Sequence, residues 1–121
     1  MATSDNKIFK IGLLEDEEFV FINWEIIAES SSIPCKVEWF ETPEALMSAL
    51  DDLDLVIVDR KLGGIDVFES GAIEKLAKVF GGPLVLSSMS TPTRDEKRFF
   101  RKVLYNKRPI SISSLKKIAL S

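Results

Sequence analysis

Four places in this sequence set a reactive or charged side chain where an apolar run stops. Glu15 and Asp16 follow Ile8-Phe9-Lys10-Ile11-Gly12-Leu13-Leu14, and Asp59 follows Leu55-Val56-Ile57-Val58. Ser88 follows Leu84-Val85-Leu86-Ser87, and Arg108 directly precedes Pro109. Each has an ordinary explanation on its own: acids cap helices, an Asp starts a turn, a Ser bonds nearby backbone. Together they point to one reaction. Carboxylates gathered in one place repel, so protons or a cation must relieve them. An all-oxygen ligand set suits hard magnesium, held by one or two carboxylates with water completing the octahedron. An ionised Asp59 beside such a cation could attack a phosphoryl donor in line, a reaction that needs little beyond positioning and charge neutralisation. The Ser88 hydroxyl and the Arg108 guanidinium would each take phosphoryl oxygens as charge develops.

The elements that must carry these groups read as strands alternating with helices. Strands are expected over 8–14, 36–40, 55–59, 84–88 and 104–107, the third a continuous β-branched run that fits a strand buried on both faces. Helices are expected from Glu15-Asp16-Glu17-Glu18 through Glu29, from the Thr42-Pro43 start to about Leu50, and after Gly63-Gly64 to about Phe80. Two more are expected from Thr91-Pro92 carrying Phe99, Phe100 and Val103, and over 113–120. This alternation describes one α/β domain with a doubly wound parallel sheet, spanning residues 1–121 with its core at about 7–120. Ligands of such sheets bind at the carboxyl ends of the strands, where the residues above stand.

Composition narrows the field. The chain has 121 residues with 45% hydrophobic and 29% charged side chains, which suits one packed domain. Zero histidines exclude a Ser-His-Asp triad, a Cys-His dyad and histidine-ligated zinc. The single cysteine, Cys35, excludes an intramolecular disulfide and points to a reducing, cytoplasmic compartment. No stretch approaches the roughly 20 apolar residues of a membrane span, and the start lacks the pattern of a secretory signal. The net charge of −3 hides a division: residues 1–60 carry 14 acidic against 4 basic side chains, residues 61–121 carry 5 against 12.

At these residues the chain resembles the receiver domain of two-component response regulators. The likeness rests on Asp16 within Leu14-Glu15-Asp16-Glu17, Asp59 within Val56-Ile57-Val58-Asp59-Arg60-Lys61-Leu62, Ser88 after Pro83-Leu84-Val85-Leu86-Ser87, and Arg108-Pro109-Ile110-Ser111. It implies a flavodoxin-like sheet of five strands in the order 2-1-3-4-5. It further implies a phosphoacceptor rather than an enzyme with a separate substrate. Phosphoryl would pass to Asp59 from a histidine kinase or a histidine phosphotransfer protein. Glu15, Asp16 and Asp59 would hold Mg2+ with the backbone carbonyl of Lys61, while Ser88 and Tyr105 would be the switch pair. A downstream protein or effector domain would read the switch, without direct nucleic-acid binding or membrane insertion.

The sequence departs from the family's pattern in places. Receivers place Lys before the Pro, across a cis bond; here Arg108 stands there, with Lys107 as the alternative, since adjacent strand residues point to opposite faces. Gly63 replaces a usual Pro, and residues 64–71 look rearranged. Ser87 competes with Ser88 by the same parity. These departures leave a second reading, a pseudo-receiver that works as an interaction module without phosphoryl chemistry. An aspartyl-nucleophile hydrolase is disfavoured, because Asp59-Arg60-Lys61 lacks an acid two residues on. On the surface, Val20, Asn23 or Trp24, and Ile27 are expected to face the sheet, with Phe21 and Ile22 outward as a patch for the phosphodonor. Arg94, Lys97, Arg98, Arg101 and Lys102 are expected to make a basic, solvated side of the fourth helix. Cys35 is expected to be a small buried residue opening the second strand.

Overall fold

The computed structural model describes residues 7–121. The run Leu55-Val56-Ile57-Val58 forms β3 (Leu55–Asp59), in which every residue is buried, as a strand covered on both faces must be. On one side of it lies β1 (Phe9–Leu14), and beyond that β2 (Cys35–Phe40). On the other side lie β6 (Leu84–Ser88) and then β7 (Lys102–Tyr105). All four pairings are parallel. The order β2-β1-β3-β6-β7 is the expected 2-1-3-4-5 with two short strands, β4 (Lys61–Leu62) and β5 (Ile65–Asp66), counted between. These two form a separate antiparallel hairpin.

Alternation along the strands divides the core into two layers. Leu14, Val56, Val58 and Leu84 face α2 (Pro43–Met47) and α3 (Ala72–Val79). Ile11, Leu13, Leu55, Ile57 and Val85 face α1 (Glu18–Glu29) and α5 (Ile112–Leu120). Thr42 caps α2 by accepting from the Ala45 N–H at 3.2 Å, with Pro43 at the first helical position, as read from the sequence.

Several elements differ from expectation. The segment after Asp59 begins with the hairpin, and Gly63 and Gly64 take positive φ there, at 56° and 83°, a conformation that favours glycine. Only then does α3 begin. The fourth helix shrinks to α4 (Arg94–Lys97), opened by a capping box of Thr93 and Glu96 rather than at Thr91-Pro92. Phe99 and Phe100 lie after it, packed against the core layer of α2 and α3, and Val103 belongs to β7. The expected basic helix face is therefore split, since Arg101 follows α4 and Lys102 opens β7. On α1, Trp24 is buried and Val20 and Ile27 pack inward, but Asn23 is exposed. Phe21 does not face outward: it stacks on Trp39 with ring centroids 5.2 Å apart. Cys35 opens β2 half-buried, its thiol bonded to the Ala28 carbonyl at 3.6 Å. Among the described residues no helix is long and apolar enough to cross a membrane.

Candidate functional site

The carboxyl ends of β1 and β3 bring Glu15 and Asp59 together, and both are buried. Glu15 is held from its backbone outward. Its N–H donates to the Phe40 carbonyl at 3.0 Å, and its carbonyl accepts from Trp39 Nε1 at 2.7 Å. Glu15 Oε1 accepts the N–H groups of Asp16 and Glu17 at 3.0 and 3.2 Å. Lys107 Nζ then donates to Asp59 Oδ2 at 3.0 Å and to Glu15 Oε2 at 3.5 Å. One ammonium thus spans two buried carboxyl groups that come from different strands.

Electrostatics follow from that crowding. Burial, then the charge and contact of Asp59, push Glu15 up to about 8, against the smaller opposing pull of Lys107. Burial opposes the charge on Lys107, but its bond to Asp59 and the charges of Asp59 and Glu15 outweigh this and raise its pKa. Burial also opposes ionisation of Asp16. The Gly63 N–H, 2.8 Å from Asp16 Oδ2, nevertheless holds that carboxyl below its usual range.

Lys107, not Arg108, is the cation at these carboxylates. Arg108 is exposed. The expectation aligned the residue that touches Pro109 and assumed strand backbone through Lys107, but β7 ends at Tyr105. Asn106 and Lys107 then adopt left-handed backbone, with φ of 56° and 53°, and alternation no longer applies. The Lys107 N–H donates to the Ser88 carbonyl at 3.3 Å and the Arg108 N–H to the Tyr105 carbonyl at 3.2 Å, which pins the turn. All described peptide bonds are trans, including the one before Pro109.

Ser88 is buried at the end of β6, but its hydroxyl is spent inside its own loop. It donates to the Ser90 carbonyl at 2.7 Å and accepts the Ser90 N–H at 3.1 Å. Asp59 lies in register with Ser87, and Ser88 with Tyr105, which is exposed. Lys61 sits in β4, two residues past Asp59. Carboxylate oxygens of Glu15, Asp16 and Glu17 all lie within 4.8 Å of one another. This oxygen-only donor set fits a hard divalent cation. Glu17 stands in this group where the sequence reading had Asp59, whose Oδ2 meets Lys107 instead.

Sequence reasoning also missed Arg60, the residue after Asp59. Its Nε donates to Asp66 Oδ2 at 2.9 Å, and Nη1 and Nη2 donate to the two carboxylate oxygens of Glu96 at 2.9 and 3.0 Å. The guanidinium also lies 4.8 Å from the centroid of the Phe68 ring. Glu96 simultaneously accepts the Thr93 N–H at 2.8 Å, so the loop after Asp59 is latched to the capping box of α4. The spacing Thr93-Arg94-Asp95-Glu96 was the available sign of that helix start.

No family model matches the chain, and no curated protein matches it. Solved structures do. A CheY-like response regulator receiver domain from Methylobacillus flagellatus superposes with TM-score 0.71 at 16% identity, covering 94% of this chain and 98% of that one. The non-phosphorylated HemR receiver domain from Leptospira biflexa gives TM-score 0.69 at 18% identity, with coverages of 92% and 94%. The Mn2+-bound form of the response regulator Rcp1 gives 0.63 at 18%, with coverages of 92% and 88%. In strand order and in these superpositions alike, the chain has the fold of response regulator receiver domains.

Proposed function

We propose that the chain is a phosphoacceptor receiver in which Asp59 takes a phosphoryl group from a phosphohistidine donor. The observation that carries this reading is the buried Asp59 carboxylate at the end of the central strand, 3.0 Å from Lys107 Nζ and against Glu15. An Asp59 carboxylate oxygen attacks phosphorus, the bond from phosphorus to the donor nitrogen breaks, and the imidazole leaves with the bond pair. Lys107 then meets the phosphoryl oxygens where it now meets Oδ2. Glu15, Asp16 and Asp59, with Glu17 near them, would hold Mg2+, which supplies charge neutralisation of the phosphoryl oxygens when bound.

Release of Ser88 from Ser90, so that its hydroxyl meets the phosphoryl group, would shift the population of Tyr105 and the α4–β7 face that a downstream partner reads. Phe19, Ile22 and Ile26 are exposed along α1 beside this end of the sheet and suit a phosphodonor's helices. The protein on this reading turns over no separate substrate and works in the cytoplasm. The pseudo-receiver reading drew on an arginine in the cation's place and on the altered loop after Asp59. Lys107 at the carboxylates speaks against the first, while the loop, here the hairpin β4–β5, still departs from the family's pattern. Incubation with acetyl phosphate and magnesium, read by intact mass, should give one phosphoryl adduct that is absent in Asp59→Asn and without magnesium. Labelling that survives Asp59→Asn would sink the assignment.

A further inference from the structure

Away from the α1 face, the short α2 and the late start of α3 leave a cleft that the hairpin β4–β5 closes on one side. Its volume is about 850 Å3, within the range of small-molecule sites, about 300–1,000 Å3. The walls are apolar, with Leu46, Leu62, Ile73 and Leu76 among them, all buried. Such walls give water no hydrogen-bond partner. Ile65 stands at the lip with 62% of its surface exposed, an apolar side chain left with no cover. The rim has a sign. Asp16, Glu41 and Glu44 line it against a single ammonium, Lys75. Among the described residues Glu41, Glu44 and Lys75 form no ion pair.

We infer that this cleft binds a small amphipathic amine, its apolar body between α2 and α3 and its ammonium at the Glu41–Glu44 rim. Apolar walls supply the affinity, because burying them removes surface from water. The carboxylates supply the selectivity, since an anion of the same shape would meet like charges. Nothing in this reading uses Asp59, so binding and phosphoryl transfer can fail separately.

The test titrates the 15N-labelled full chain with phenylbutylamine and with phenylbutyrate, its anionic counterpart. The amine should shift backbone signals over residues 41–48 and 62–76 and bind about tenfold tighter than the acid. Glu41→Gln with Glu44→Gln should weaken the amine several-fold and narrow its lead. Ser70→Trp, at an exposed position on the lining, should block both, and Asp59→Asn should change neither. Equal binding of amine and acid, shifts centred on α1, or no shift at all would each overturn the inference.

Discussion

Lys107 illustrates what one residue's backbone decides. Adjacency to Pro109 favours Arg108, yet with Asn106 and Lys107 both in left-handed backbone it is Lys107 that reaches both carboxylates. A left-handed non-glycine residue costs on the order of 1–2 kcal/mol, and here two occur in the turn that presents the ammonium. Lys107→Ala should therefore cut acetyl-phosphate labelling of Asp59 at least about tenfold, as loss of a charge-stabilising donor does. Arg108→Ala should leave labelling within about twofold by the same intact-mass assay. Equal loss in both variants would return the role to Arg108. The companion prediction concerns Glu15. Asp59 is the largest cause after burial for its raised pKa, so Asp59→Asn should lower the Glu15 titration from about 8. A carbon-detected NMR titration of the Glu15 side chain reads this directly, and an unchanged midpoint would mean burial alone sets it.

At the scale of elements, the Arg60–Glu96 latch couples the residue after Asp59 to the start of α4. Both side chains are 18% exposed, so solvent screens the pair only in part. Arg60→Ala and Glu96→Ala should each destabilise by about 1–3 kcal/mol in urea unfolding, while Thr93→Ala, which removes only a cap bond, should cost about 1. The double variant tests the coupling: a cycle energy of about 0.5–3 kcal/mol is expected, and strict additivity would dissolve the latch. The same comparison shows what the sequence made legible. The core strands were readable because β-branched and apolar runs have few other uses, and Asp59 with Glu15 could be placed from where those runs stop. The hairpin at 61–66 had a local sign in Gly63-Gly64 and the start of α4 one in Thr93 and Glu96, but the contacts that hold both in place join side chains apart in sequence. Arg60 must find Asp66 and Glu96, and Phe68 packs edge-on against Phe100 at 5.9 Å. Periodicity carries no trace of such contacts. The Lys107 turn was harder to read, since Asn106 signals positive φ more weakly than glycine and Lys107 does not signal it.

For the molecule as a whole, the sheet order turns a division in the sequence into one in space. β2, β1 and β3 come from the acid-rich half and β6 and β7 from the basic half, so the seam runs between β3 and β6. The site lies along that seam, acids from one side and Lys107 from the other. Its pH dependence follows. Glu15 binds a proton in the folded protein up to about 8 but only to about its ordinary 4.5 when unfolded. Between those values the native state holds more protons, so stability falls as pH rises, by at most about 1.4 kcal/mol per pH unit. Asp16, Asp66 and Glu96 have the opposite sign: their carboxyls are lowered, and the stability they contribute is lost as pH falls below the ordinary carboxylate range. In chelator, the unfolding midpoint should therefore peak near pH 5 and decline toward 8. Magnesium should reverse the decline, because a cation that binds ionised Glu15 competes with its proton and binds only the folded site. Glu15→Gln should flatten the alkaline limb with or without magnesium. A midpoint that rises from pH 5 to 8 in chelator would show that Glu15 is ionised in the metal-free fold, with the Asp16 and Glu17 N–H groups and Lys107 outweighing burial.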